Sequence, residues 1–280
     1  MVVSGLIKRL RSLPDTTVLR TERKGGATQL TKSAIRQGYE TIVAAGGDGT
    51  LNEVVNGMAG HHSSVRLGLI PLGTGNDFAR TLGLPTDLEA ALEILTVGRT
   101  RAIDLIRVTS NKIRYFVNVS AGGFSGLVDE KLTPEIKQTW GPLAYLRCAV
   151  ATLPELHTYH ATLSFGRNKS IKLPVYNIVI ANGRYVGGGT MIAPRASISD
   201  GLLDIILILE RPATELALLA AQVALGKHLS SKTIVYKRAT KLRVKSRPNM
   251  WFNVDGELVG NEPATFEVLP RALRFIVPKR

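Results

Sequence analysis

The strongest constraint in this chain is a glycine-rich junction between an apolar run and a helical pattern, TIVAAGGDGTLNEVVNG at residues 41–57. The apolar run is typical of a buried strand in a parallel sheet. Thr50 and Glu53 have the T-x-x-E spacing of a capping box, which predicts the start of the following helix. Glycines let the backbone approach a ligand, and the first helical turn offers N–H groups and a positive dipole end. The junction is therefore either a tight turn or a phosphate-binding loop.

A second loop of the same kind, PLGTGNDFAR at residues 71–80, follows the next apolar run and again precedes a helical pattern. Neighbouring loops at the carboxyl ends of parallel strands lie where open α/β sheets bind ligands. Asp48 would add a carboxylate beside the anion site, which suits a metal ion or a hydroxyl proton. Neither loop fits the P-loop or the G-x-G-x-x-G motif. The pair favours phosphate binding over a plain turn.

The pattern of the chain changes near Gly98. Residues 1–98 alternate helical and strand-like segments, including a strand at 16–22 and a helix that Gly38 closes, and they predict an α/β domain with a parallel sheet. Residues 99–280 contain short strand-like runs with turn residues between them, interrupted by helical patterns at 139–152 and 213–228. They predict a mostly antiparallel β-sandwich, whose last residues could return to the first domain.

The amino-acid composition limits the kinds of binding partner and the compartment that we expect for this protein. The 280 residues carry a formal net charge of +14, which favours anionic partners such as nucleotides or a membrane surface. Aromatic residues make up 6% and are not interleaved with the basic runs, so nucleic acid is not expected as a partner. Cys148 is the single cysteine, which excludes an internal disulfide. The apolar stretches are shorter than the roughly 20 residues of a spanning helix. We expect a cytoplasmic protein, peripheral to the inner face of the membrane.

The two loops together resemble the diacylglycerol kinase catalytic domain, in its bacterial lipid-kinase branch. The GGDGT pentapeptide alone is shared with NAD kinases, so the resemblance depends on an ordered set of segments. Members usually begin with a strand that ends in an Asn-Pro turn, whereas this chain opens in the pattern of the first helix, so the first strand is expected to be missing. The further matching segments are RAIDL (101–105), VNVSAGGFSG (117–126), IANGRYVGGGTMIAPRASISDGLLDI (180–205), FNVDGELV (252–259) and FEVLPRALRFIVP (266–278).

The resemblance implies an NAD kinase/diacylglycerol kinase-like α/β domain and a β-rich domain that enclose a cleft. It implies ATP and Mg²⁺ as cofactors and a lipid substrate at a membrane surface, with the γ-phosphate transferred to a lipid hydroxyl, most simply diacylglycerol to phosphatidate. The alternatives are a non-glyceride acceptor (a sphingoid base, another lipid alcohol or NAD) and a nucleotide- or lipid-binding protein without turnover. The sequence does not fix the oligomeric state and allows a homodimer.

The resemblance also assigns residues. Glu257 matches the general base and Asp48 a catalytic position beside the Mg-nucleotide. Asp200 matches a structural Mg²⁺ ligand, with the backbone carbonyls of Ser197 and Leu202. From the residues alone, Asp255-Gly256 and Asp200-Gly201 are equally typical of hairpin turns. The positions matched to the nucleotide are Thr21, Gly46, Gly47, Asp48, Gly49, Thr50, Leu51, Asn52, Thr74 and Asp77.

Overall fold

The first part of the chain alternates helices and strands, as predicted. The computed structural model describes residues 7, 9–11, 15–124, 148, 151, 156–166, 170–254, 257–260 and 263–279. β1 and β2 pair in parallel from Thr41↔Arg66 to Gly46↔Pro71, which confirms the parallel sheet. The elements are α1 (Gly26–Arg36), β1 (Thr41–Gly46), α2 (Asp48–Gly57), β2 (Arg66–Pro71), α3 (Asp77–Leu82) and α4 (Leu88–Val97).

The second part is mainly antiparallel β structure, which confirms the predicted class. Its long strands pair as antiparallel neighbours and bury a core that includes Phe116, Phe252 and Phe266. The strands are β3 (Arg99–Thr109), β4 (Ile113–Phe116), β5 (Val119–Gly123), β6 (Tyr159–Ser164), β7 (Ser170–Ala181), β8 (Tyr185–Val186), β9 (Thr190–Met191), β10 (Leu203–Leu209), β11 (Ile234–Ala239), β12 (Lys241–Arg247), β13 (Phe252–Val254), β14 (Glu257–Gly260) and β15 (Ala264–Val277).

Two helical segments accompany these strands in the described residues. Helix α5 (Ala213–Ala224) and a 3-10 helix (His228–Ser230) follow β10 and confirm the predicted helix there. The predicted helix at 139–152 lies outside the described residues, except that residues 148 and 151 are helical. Within the part of the chain that the structure describes, no helix has the length and apolar character needed to span a bilayer.

The last strand joins the two parts. β15 pairs antiparallel with β3 along most of its length, and its residues Arg274 and Phe275 pair in parallel with Arg66 and Leu67 of β2. Phe275 also packs edge-on against Phe78 of α3, with ring centroids 5.8 Å apart. The C-terminal strand thus extends the sheet of the first part and fixes the glycine-rich loops relative to the β-rich part.

The predicted strand at residues 16–22 is wrong. The segment has no regular secondary structure, and Leu19 is 54% exposed. β1 lies at the edge of the described sheet, and its Val43 is 39% exposed, so β1 is not the fully buried strand that its apolar run predicts. An extended segment becomes a strand only where its backbone groups find a partner strand. Here Thr17 contacts the Tyr39 hydroxyl through its side chain instead.

The predicted capping box is also wrong. Helix α2 begins at Asp48 after Gly47, so Thr50 and Glu53 lie inside the helix rather than at its start. The Glu53 carboxylate instead accepts hydrogen bonds from the N–H groups of Gly25 at 2.8 Å and Ala27 at 2.9 Å. It therefore caps α1, which runs alongside α2. The predicted end of α1 is confirmed, because Gly38 follows the helix with a φ of 88°.

Candidate active site

The two glycine-rich loops touch through their backbones. A Cβ on Gly73 would lie 2.5 Å from the Gly47 Cα, and one on Gly47 would lie 3.1 Å from the Gly73 Cα. Asn76 holds the second loop in place, because its Oδ1 accepts from the Gly73 N–H at 3.0 Å and its Nδ2 donates to the Gly73 carbonyl at 2.6 Å. Any side chain at Gly47 or Gly73 would separate the loops. The predicted pairing of the loops is thus a feature of the fold.

The Asp48 carboxylate connects one loop to the other. Its Oδ2 accepts from the Asp77 N–H and its Oδ1 from the Phe78 N–H, both at 3.1 Å. Asp48 therefore caps the N-terminus of α3. By contrast, the N-cap residue of α2 is Gly47, which has no side chain to cap the helix. A helix start of this kind favours an anion.

A second carboxylate, that of Asp77, lies beside Asp48. A Cβ on Gly75 would be 3.3 Å from Asp48 Oδ2 and 3.6 Å from Asp77 Oδ2, so the two carboxylates converge over this glycine. Asp77 is 6% exposed. Its Oδ1 lies 3.6 Å from an Arg80 guanidinium nitrogen and has no hydrogen-bond donor among the described residues. Burial raises the pKa of Asp77, and the charge of Asp48 raises it further.

The hairpin of β8 and β9 reaches this site from the β-rich part. Its tip, Gly187–Gly189, has φ values of 65°, 87° and 123°, which side chains rarely adopt. The Gly188 N–H donates to Asp77 Oδ2 at 2.9 Å. At the base of the hairpin, the Arg184 N–H donates to Thr81 Oγ1 at 3.1 Å. Both parts of the chain therefore contribute groups to one site at α3.

The other residues predicted to contact the nucleotide lie in the two loops, at the start of α2 and near the start of α1. Leu51 and Asn52 are 2% and 4% exposed, and Asn52 Nδ2 donates to the Tyr115 carbonyl at 3.3 Å, so their side chains belong to the interior. Thr74 is exposed in the second loop. Thr21 is exposed beside Gly26 at the start of α1. The structure brings together Gly46, Gly47, Asp48, Gly49, Thr50, Thr74 and Asp77.

Glu257 is the first residue of β14, and its side chain lies outside what the structure describes. Its backbone pairs with Val254 of β13, and Val254 pairs with Ser120 of β5. Two residues before Ser120, the Asn118 side chain donates from Nδ2 to the Tyr185 carbonyl at 3.1 Å. The hairpin that carries Glu257 is thus connected through β5 to the β8–β9 hairpin that touches Asp77.

The residues of the predicted metal site lie in the turn before β10. The Leu202 N–H donates to Asp200 Oδ1 at 3.1 Å, and the Asp200 carboxylate pairs with the Arg238 guanidinium. Arg238 Nε is also 3.7 Å from Asp204 Oδ2, which is buried and has no hydrogen-bond partner in the described residues. The Tyr236 hydroxyl donates to the other Asp204 oxygen. Two carboxylates therefore share one guanidinium, and burial raises the pKa of Asp204.

Asp104 is a buried carboxylate for which the sequence predicts no role. It is fully buried, its Oδ1 accepts from the Arg271 N–H at 2.8 Å, and its Oδ2 accepts from the Gly201 N–H at 2.7 Å. Arg271 and Gly201 have φ values of 50° and 73°, so Asp104 stabilises two left-handed turns next to the domain junction. An aspartate within the apolar run RAIDLI signals such a role, because a buried carboxylate needs partners.

Comparisons with known proteins agree with this architecture. Residues 2–108 match the diacylglycerol kinase catalytic domain, and residues 118–277 match the YegS C-terminal NAD kinase beta sandwich-like domain. Proteins named diacylglycerol kinase from Staphylococcus carnosus and Staphylococcus haemolyticus are 31% and 32% identical, over 100% and 98% of this chain and 90% and 82% of theirs. A crystal structure from Bacillus anthracis superposes with a TM-score of 0.83 at 24% identity, over 99% of this chain and 90% of that one.

The fold and the matching families define a two-domain kinase with an α/β part and a β-sandwich-like part. The chain belongs to the diacylglycerol kinase family, and it is a lipid kinase that uses ATP. The sequence resemblance is thereby confirmed.

Proposed function

We propose that this kinase transfers the γ-phosphate of ATP to the free hydroxyl of diacylglycerol and so produces phosphatidate. The observation that carries the proposal is the convergence of Asp48 and Asp77 over Gly75, at the contact between the two glycine-rich loops. The chain is also 31–32% identical to proteins named diacylglycerol kinase. Phosphoryl transfer needs positioning and charge stabilisation more than covalent chemistry, and this arrangement supplies groups for both.

The terminal phosphates of ATP bind at the start of α2. Backbone N–H groups of Gly46–Thr50 approach them, helped by the dipole of a helix whose N-cap residue, Gly47, has no side chain. Leu51 and Asn52 contribute by fixing the first turn of α2, because their side chains are buried and the Leu51 N–H donates to the Gly47 carbonyl at 3.1 Å. Thr74 lies at the edge of the same site, and Thr21 borders it near the start of α1.

Asp48 and Asp77 would hold the Mg²⁺ that accompanies ATP. Carboxylate oxygens are the ligands that this ion prefers, and the buried Asp77 Oδ1 is an acceptor without a hydrogen-bond donor in the described residues. When bound, Mg²⁺ neutralises charge that develops on the phosphates. Asp48 meanwhile keeps α3 in position, so one side chain serves both the fold and the ion.

Glu257 accepts the proton of the lipid hydroxyl. The support is its place on β14, whose partners lead through Ser120 and Asn118 to the hairpin at Asp77. In this assignment the nucleotide is held by residues 1–98, and the lipid is presented by residues 99–280, with β15 completing the first sheet. A carboxylate acting across that boundary would meet the hydroxyl only when both substrates are bound.

A structural Mg²⁺ at Ser197, Asp200 and Leu202 is part of the proposal. Asp200 and Asp204 share the single guanidinium of Arg238, and Asp204 Oδ2 has no hydrogen-bond partner in the described residues, so a cation would satisfy an acceptor there.

The diacylglycerol substrate is drawn from a membrane surface, to which the net charge of +14 attracts the protein. A homodimer stays a prediction that light scattering checks.

The test is a transfer assay with labelled ATP and a panel of acceptors in mixed micelles, with and without Mg²⁺. Label should enter diacylglycerol in preference to a sphingoid base, another lipid alcohol or NAD, and transfer should require Mg²⁺. Label that enters one of the other acceptors preferentially would identify a non-glyceride kinase. Binding of ATP without transfer to any acceptor would instead leave the protein a nucleotide-binding member without turnover.

A further inference from the structure

Helix α5 has apolar residues on the side that faces solvent. On its inner side Leu216 and Leu219 are 6% and 4% exposed. On the opposite side Leu218 is 60% exposed, and Leu225, directly after the helix, is 72% exposed. A surface helix ordinarily places polar and charged residues away from the core, so this outer face is unusual. Its other exposed residues are Thr214, Ala217, Ala221 and Ala224.

Basic side chains border this outer face at its C-terminal end. Lys227 and Lys232 follow the helix and are exposed. At the N-terminal end Arg211 lies 3.8 Å from Glu215, so its charge is largely balanced there. The C-terminal end is thus positive next to exposed leucine, a combination that suits an anionic lipid surface.

The inner face of α5 connects this surface to the active site. Leu216 and Leu219 belong to the same buried cluster as Ile192, with Val186 packed against it. His228, just after the helix, contacts the Ile192 carbonyl through Nε2 at 2.7 Å. Val186 belongs to β8 and Ile192 follows β9, and the tip of this β8–β9 hairpin donates a hydrogen bond to Asp77.

We propose that the outer face of α5, which consists of Thr214, Ala217, Leu218, Ala221, Ala224 and Leu225, docks on an anionic lipid bilayer together with Lys227 and Lys232. The proposal rests on the proposed function, since a diacylglycerol acceptor resides in a bilayer. Leu218 and Leu225 enter the acyl boundary, and the lysines contact the head groups. A second copy of the chain is a poorer match for this face, because the exposed Lys227 and Lys232 beside it favour an anionic partner.

Co-sedimentation of the full chain with vesicles tests the face directly. The vesicles contain phosphatidylcholine with or without an equal share of phosphatidylglycerol. Leu218→Gln with Leu225→Gln should weaken binding to the anionic vesicles by about tenfold or more, because two leucines lose their burial in lipid. Ile113→Gln is the matched control, since Ile113 is 55% exposed on β4, and it should bind as the wild type does. Lys227→Glu with Lys232→Glu should reduce the preference for phosphatidylglycerol.

Unchanged vesicle binding of the double leucine variant overturns the proposal. So does a change in oligomeric state by light scattering without a change in vesicle binding, which would make the face a contact between copies. Kinase activity separates this proposal from the proposed function. The double leucine variant should keep activity on a dispersed short-chain diacylglycerol and lose it on vesicles. A wild-type protein that phosphorylates neither form, yet binds vesicles through this face, would refute the proposed function alone.

Discussion

Asp48 and Asp77 are joined by a hydrogen bond from the Asp77 backbone N–H to the Asp48 carboxylate at 3.1 Å, and their own carboxylates converge over Gly75. Each aspartate is the first residue of the helix that follows one of the two glycine-rich loops. The bond keeps two acidic groups close together, although each charge disfavours the other. The fold thus maintains a negatively charged pair next to a helix N-terminus that favours anions, an arrangement that suits a cation bound with phosphate.

Substitution of Asp48 should separate its structural role from its chemical role. Asp48→Ala removes the cap of α3 and should lower the free energy of unfolding by about 1 kcal/mol. Asp48→Asn keeps an oxygen acceptor and should cost less stability, yet both variants should lose kinase activity by about 100-fold or more because the charge is gone. Chemical denaturation and a transfer assay check the two effects. Full activity of Asp48→Asn would show that the carboxylate has only a capping role.

The contact between the loops makes Gly73 sensitive to the smallest side chain. Gly73→Ala should lower the free energy of unfolding by about 1–3 kcal/mol and weaken ATP binding, because its Cβ would lie 2.5 Å from the Gly47 Cα. Gly49→Ala is the control for folding, since a Cβ there meets no atom within 4 Å and alanine favours a helix. If Gly73→Ala and the wild type have the same melting temperature, the backbones of Gly47 and Gly73 are farther apart than described above.

Asp77 should make the stability of the nucleotide-free protein depend on pH. Burial raises the pKa of Asp77 above its ordinary value of 3.8, so the folded state holds this proton more tightly than the unfolded state does. The stabilisation is complete below pH 3.8 and is lost as the pH rises through the folded-state pKa. Asp77→Asn should therefore be more stable than wild type at pH 7, with a difference that shrinks toward pH 4. Thermal melts across this range check the sign, and a less stable variant at pH 7 would contradict it.

Glu257 should matter for turnover and not for nucleotide affinity. Glu257→Gln preserves the size of the side chain but cannot take up a proton, so turnover should fall by about 100-fold or more. ATP affinity, measured by calorimetry, should stay near that of the wild type. Glu267→Gln is a suitable control, because Glu267 lies on β15, the next strand along the chain, and pairs with Arg107. Wild-type turnover of Glu257→Gln would exclude Glu257 as the base.

Binding of the proposed structural Mg²⁺ should raise the thermal stability of the protein and not only affect its activity. Added Mg²⁺ should raise the melting temperature of the wild type, since a ligand that binds the folded state stabilises it. The melting temperature of Asp200→Asn should be the same with and without Mg²⁺. The alternative is that Arg238 already neutralises Asp200, in which case Mg²⁺ would raise neither melting temperature and the metal assignment would fail.

Local patterns in the sequence were reliable where a segment's structure depends on its own residues. The glycine junctions, the end of α1 before Gly38 and the run of β2 are all in place, because glycine geometry and hydrophobic burial act locally. The strand predicted at residues 16–22 failed because an extended segment depends on a partner that its sequence does not encode. The capping box predicted from Thr50 and Glu53 was wrong for a related reason, because Glu53 caps α1, a different helix.

By itself, the sequence determined the class of protein and the two loops at which a nucleotide is expected. Only the tertiary structure decided which distant groups meet: Asp48 with Phe78, Gly188 with Asp77, and Asp104 with Arg271. Periodicity, glycine spacing and net charge are properties of a short segment or of the composition. A hydrogen bond between residues far apart in the chain exists only after the sheet has closed with β15 beside β2 and has brought their backbones within about 3 Å.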